Sequence, residues 1–286
     1  MDKHDVARRI EHLDAERDHV AIVNLLAGRE FPWDFTRALE LALYRTYCVP
    51  SISALLDATG EFRRRGQKRY DDTSIIMSEI LEWGYDAGRG REALRRMNRI
   101  HARFQIANED FLYVLSTFLL EPVRWVERFG WRPMTAHEKR AFHAFWREVG
   151  VRMGIRDIPP DYDAFERYNV DFERAHFRYT PENRRVGEAT RDIFAGWFPA
   201  ALRPLTELLV YAMLDESVLD AFGFPHPTPA ERALVEVALK ARARVVRWLP
   251  PRRRDGFITG APTRTYPRGY EISELGPSDP PAPPAR

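Results

Sequence analysis

The histidine at position 101 sits where its chemistry has two quite different uses. Ala93, Leu94, Met97, Ile100, His101 and Phe104 recur at helical spacing, and Arg91, Arg95, Arg96, Arg99 and Arg103 fill the positions between them. That pattern predicts a helix over about 91–104 with the imidazole on its inward, apolar stripe. A neutral imidazole pointing into an apolar core is what an axial metal ligand requires. It is also what an ordinary hydrogen-bonded core histidine looks like, and the spacing alone leaves both uses open.

Two further constellations are compatible with metal chemistry. Glu16/His19 and Glu173/His176 are Glu-x-x-His pairs, the half-motif of di-iron carboxylate bundles, because residues three apart share a helix face. A di-iron site needs two more inward glutamates; Glu40, Glu79 and Glu207 can be nominated, though nothing in the sequence marks them out. The other option is a single axial histidine and a haem. His101 would be the ligand, and Arg69, Arg99 and Arg103 would supply cations for the propionates. The apolar faces of Trp33–Tyr47, Ile75–Leu81 and Phe111–Leu120 would form the walls. No phosphate-cradling glycine loop, dinucleotide fingerprint or nucleophile elbow is present.

Periodicity predicts helix nearly everywhere, so the elements that position His101 are helical. A helix over about Asp72–Trp83 carries Thr73, Ile76, Met77 and Ile80 on one face, and Gly84, Gly88 and Gly90 turn the chain into the helix that ends near His101. Earlier helices are expected over Asp5–Leu13, Arg17–Ala27, Trp33–Tyr47 and from a Ser51 cap to Gly60; Glu61–Arg69 reads as a polar connector. Phe111–Glu127 is apolar on most sides and belongs in the middle of the fold, kinked at Pro122. Thr135 with Glu138, Thr180 with Pro181, and Thr228-Pro229 with Glu231 are start signals for later helices, and Leu202–Phe222 reads as one long helix. The fold class is all-α, about eleven helices in a single domain over residues 1–250. Residues 251–286, rich in proline and arginine, read as a largely disordered tail.

Composition narrows the function classes. The chain of 286 residues carries a net charge of +2, so no global field argues for nucleic acid. The lone Cys48 excludes an intrachain disulfide and a thiolate zinc site. No secretory signal opens the sequence, and the longest apolar run, near Phe111–Leu120, is too short to span a bilayer. A soluble, cytoplasmic protein is expected, with peripheral contact at a membrane surface left open.

Four stretches taken in order carry a resemblance: Thr59-Gly60-Glu61-Phe62, then Lys68-Arg69-Tyr70-Asp71-Asp72-Thr73, then Asn98-Arg99-Ile100-His101, then Gly130-Trp131-Arg132. Together they resemble the family of latex-clearing rubber oxygenases and mycophenolate-pathway (MpaB-like) oxygenases, over roughly Glu30–Lys240 and closer to the mycophenolate-type branch. The resemblance implies a b-type haem in a globin-like helical core, with iron held at His101. It also implies dioxygen-dependent cleavage of an isoprenoid carbon–carbon double bond. Arg69 and Thr73 match an Arg-x-x-x-Thr pattern on the distal side. Two positions depart from rubber oxygenase: Asp72 stands where it has a lysine, and Asn98 where it has an arginine. The expectation is therefore a haem-dependent oxygenase with Arg69, Asp72 and Thr73 in catalysis and His101, Asn98, Arg99 and Arg103 around the cofactor. Dioxygen and a small hydrophobic substrate are its partners, and the oligomeric state is open. A di-iron helical oxidase and a non-catalytic binder of hydrophobic ligands are the alternatives.

Overall fold

Caps and prolines decide where most of the helices begin. In the computed structural model, which describes residues 4–277, there are thirteen α-helices and no β-strand among the described residues. In chain order they are α1 (Asp5–Glu11), α2 (His19–Leu25), α3 (Pro32–Thr46), α4 (Pro50–Thr59), α5 (Glu61–Trp83), α6 (Gly88–His101) and α7 (Asn108–Phe129). Then follow α8 (Ala136–Arg152), α9 (Tyr162–His176), α10 (Pro181–Ala195), α11 (Arg203–Met213), α12 (Glu216–Phe222) and α13 (Pro229–Trp248). Thr135 with Glu138, and Thr228 with Glu231, form reciprocal capping boxes at α8 and α13. Each such cap contributes about 1 kcal/mol. A single turn of π-helix, Leu26–Glu30, joins α2 to α3.

The all-α expectation holds, and two elements differ from the periodicity reading for identifiable reasons. Glu61–Arg69 is not a connector. Gly60 ends α4 at φ 68°, and α5 starts at the next residue, bending only at Arg65 (φ −143°). With no apolar stripe there, the turn is held by the Arg65–Glu61 ion pair at 2.7 Å. Leu202–Phe222 is two helices, because Asp215 accepts a hydrogen bond from Val218 N and caps a new start. Pro122 lies inside α7, which continues to Phe129.

α7 is the axis of the core. Its buried residues include Leu112, Leu115, Leu119, Val123 and Val126, and it is flanked by α3 and α8. A second apolar cluster, with Tyr44, Cys48, Phe194, Leu219 and Phe222, lies under α10 to α12. The α5–α6 hairpin depends on two glycines: Gly84 has φ 75°, and a Cβ on Gly90 would stand 1.7 Å from the Gly84 carbonyl oxygen. No larger residue allows that approach.

The stretch after residue 250 does not match the expectation of a largely disordered tail. Residues 251–277 form a strap laid across the helical body, with Ile272 and Leu275 fully buried. Prolines keep it from becoming helical, but isolated bonds pin an extended chain equally well: Gly256 N donates to Gly28 O at 2.8 Å, and Arg96 Nε to Leu275 O at 2.7 Å. The run Pro280–Pro284 lies outside the described residues.

Candidate active site

The residues Lys68 to Thr73 occupy successive positions along nearly two turns of α5, and each is used differently. Lys68 Nζ pairs with Asp72 Oδ2 at 2.9 Å and also donates to Tyr266 Oη of the strap at 2.6 Å. Arg69 Nη1 donates to Thr73 Oγ1, which in turn donates to Arg69 O at 2.9 Å. Tyr70 Oη donates to Glu40 Oε1 on α3 at 2.6 Å. Asp71 accepts from Thr265 N of the strap at 2.8 Å. Because α5 begins at Glu61, Arg69 and Thr73 stand one turn apart on the same face and Asp72 is interior to the helix.

Thr73 opens onto a small apolar cavity of about 50 Å³. Phe35 and Leu39 of α3, Met77 of α5, Phe118 of α7 and Phe257 of the strap form most of its wall, with Thr36, Glu40 and Ser74 as a polar corner. The space suits a molecule the size of dioxygen. Glu40 is enclosed there, and burial raises its carboxyl to about 7 against the opposing Arg37 charge and the Tyr70 hydrogen bond. Arg37 Nη2 lies 2.8 Å from Glu40 Oε1.

His101 is the last residue of α6. Its Nδ1 is buried without a hydrogen-bond partner among the described residues, and its ring meets Phe111 edge-on at 5.4 Å. Burial, and secondarily the Arg69 charge, lower its pKa to about 4. The imidazole is therefore neutral at physiological pH, and its lone pair is free for a metal. An enclosed ring nitrogen without a partner costs about 1–3 kcal/mol. That cost disappears if Nδ1 is itself the ligating atom, and an imidazole nitrogen is a donor that suits a haem iron. His101 is not among the residues that line the cavity beside Thr73, and at about 50 Å³ that cavity holds no macrocycle as it stands.

The remaining expected site residues are less central. Arg99, on the outer side of α6, and Arg103, two residues past its end, are exposed. Asn98 Nδ2 donates to Arg152 O at 2.9 Å and ties α6 to α8. The carboxylate of Asp72 is buried and engaged by Lys68 and Tyr266.

The nominated di-iron residues do not come together. His19 Nε2 is hydrogen-bonded to Tyr85 Oη, His176 Nδ1 to Phe172 O, and Glu173 is paired with Arg45. Glu79 is held by Arg89 and Tyr270, and Glu207 by Arg203. No group of three or more His, Cys, Asp or Glu side chains able to hold a metal ion occurs among the described residues.

Comparison with known proteins places these features in a family. Residues 35–248 match the model of the "ER-bound oxygenase mpaB/B'/Rubber oxygenase, catalytic domain". The chain belongs to that family. The ER-bound oxygenase mpaB' of Penicillium brevicompactum is 29% identical over 246 residues, covering 80% of this chain and 58% of the relative. The ER-bound oxygenase mpaB of Penicillium roqueforti is 28% identical over 213 residues, covering 68% of this chain and 72% of the relative. The chain thus spans less than two thirds of the length of the first of these. Among solved structures, latex clearing protein LCP in the closed state shares the fold. Its TM-score is 0.59 at 16% identity, covering 84% of this chain and 69% of that one.

In this member of the mpaB/rubber oxygenase family Arg69, Thr73 and His101 all lie on the α5–α6 hairpin. The Glu40–Tyr70 pair and the cavity wall at Phe257 were not legible as site features. Glu40 had appeared only as a possible iron ligand, and Phe257 belongs to a strap beyond the matched residues 35–248.

Proposed function

We propose that this domain is a haem b-dependent oxygenase of the cytoplasm that uses dioxygen to cleave a carbon–carbon double bond in a small hydrophobic, isoprenoid or lipid-like substrate. The observation that carries the reading is His101: an enclosed, neutral imidazole whose Nδ1 has no hydrogen-bond partner among the described residues. His101 would hold the iron, with Arg69 as the nearby cation that the imidazole already senses. Bound there, haem supplies the one-electron and dioxygen chemistry that side chains lack.

The chain's own residues do the rest. Thr73 fixes the guanidinium of Arg69 by accepting from Nη1, so that a hydrogen-bond donor is held in place beside the cavity. Phe35, Leu39, Met77 and Phe118 keep the cavity beside Thr73 apolar and exclude water from it. Glu40 and Tyr70 hold a proton between Oε1 and Oη at the polar corner, beside Thr36 and Ser74. Asp72 acts by anchoring the strap through Tyr266.

The test is product analysis under labelled dioxygen. The haem-loaded protein, given an unsaturated isoprenoid alcohol such as farnesol, is expected to yield two shorter carbonyl fragments, each carrying label. A loaded protein that binds such substrates and consumes no dioxygen contradicts this reading and favours a non-catalytic carrier of hydrophobic ligands.

A further inference from the structure

α13 is amphipathic in an unusual sense, because both of its faces are apolar. Its inward face carries buried Val235 and Ala243 and is fixed by Arg242, which reaches Asp34 at 2.8 Å. Its outward face carries Leu234, Val237, Ala241, Val245 and Trp248, a stripe at helical spacing that faces solvent along its whole length. Trp248 is 87% exposed and Leu234 69%. Leu205 and Leu209 of α11, which packs against α13, are exposed as well. A run of this extent on a folded domain marks a contact surface rather than scattered exposure.

The charges around the stripe say what covers it. Many arginines of this chain are ion-paired, as Arg203 is with Glu207 and Asp192. Arg244, Arg247, Arg252, Arg253 and Arg254 are exposed and make no side-chain ion pair or hydrogen bond among the described residues. A symmetric contact between two copies through α13 would bring these cations together and is disfavoured by their repulsion. An anionic lipid surface neutralises them and buries the stripe at the same time.

We propose that the outward face of α13, with Arg244, Arg247 and Arg252–Arg254, seats this domain on an anionic membrane surface. The basic run leads within two residues to Gly256, Phe257 and Ile258, which line the cavity beside Thr73. A lipid-dissolved substrate is thereby delivered next to the chamber. That delivery rests on the oxygenase reading, whereas the docking itself does not.

The experiment is co-sedimentation of the full chain with vesicles of phosphatidylcholine, alone or with roughly one-third phosphatidylserine. Binding is expected on the anionic vesicles only, weakening as salt is raised. Arg252→Gln/Arg253→Gln/Arg254→Gln and, separately, Leu234→Ser/Trp248→Ser are each expected to lower the partition coefficient at least about tenfold. Their melting temperatures should stay at the wild-type value, since all five side chains are exposed. Absence of anionic-vesicle binding at low salt, or equal binding by the variants, overturns the proposal. So does a stable dimer in solution that Leu234→Ser/Trp248→Ser dissociates, which would give the face to a second copy. None of these readouts requires haem or turnover.

Discussion

Tyr70 of α5 donates its phenolic proton to Glu40 Oε1 of α3 at 2.6 Å, joining the helix of Arg69 and Thr73 to the opposite wall of the cavity. Burial raises the Glu40 carboxyl from 4.5 to about 7 and lifts the Tyr70 phenol above its ordinary range as well. A carboxyl whose folded pKa lies above its unfolded one is favoured protonated in the native state. Its contribution to stability is complete below 4.5 and is lost as the pH rises through about 7. Glu40→Gln keeps an acceptor for Tyr70 and removes the titration. The variant is expected to unfold with a flatter pH dependence between about 5 and 8, and to be no less stable than the parent at the upper end. Chemical denaturation at several pH values measures this, and an unchanged slope contradicts it.

Thr73 holds Arg69 by accepting from its guanidinium and donating to its carbonyl. Thr73→Val preserves shape and removes both bonds. A stability loss of about 1 kcal/mol is expected, with bound haem retained and turnover reduced roughly tenfold or more. Thr73→Ser should restore most of the turnover. A valine variant with full activity shows that the pair is merely part of the helix.

Glu173 takes part in a largely buried cluster in which it accepts from Arg45 Nε at 2.8 Å, with Glu121 at 3.5 Å from the same nitrogen and Asp215 also on the guanidinium. Removing one carboxylate leaves Arg45 under-compensated. Glu173→Ala is expected to cost about 3 kcal/mol of unfolding free energy and to leave iron and haem content unchanged. If the variant instead keeps its stability and loses iron, the di-iron assignment of Glu173 and His176 gains the support it lacks.

Much of this arrangement was legible from residue order. The α6 stripe placed His101 inward because Ala93, Leu94 and Met97 fix the helix phase, and the Thr135/Glu138 and Thr228/Glu231 boxes announced α8 and α13. What stayed hidden lacks local periodicity. The first turns of α5 are arginine-rich with no apolar stripe, and only the left-handed Gly60 marks where α4 ends. The strap is pinned by pairs such as Tyr266 with Asp72, 194 residues apart, which no spacing rule reveals. The outward stripe of α13 was visible as apolar positions, but a sequence does not say that α13 buries Val235 and leaves Leu234 in water.

The central claim is that His101 binds haem iron, and the absorption spectrum tests it most directly. The full chain should be expressed with added haem precursor and purified beside His101→Ala, with folding of both checked by circular dichroism. The wild type is expected to carry haem with a strong Soret band. The alanine variant should lose most of the pigment and recover the band when free imidazole is added. A colourless wild-type protein, or a His101→Ala variant with an unchanged Soret band, contradicts the account.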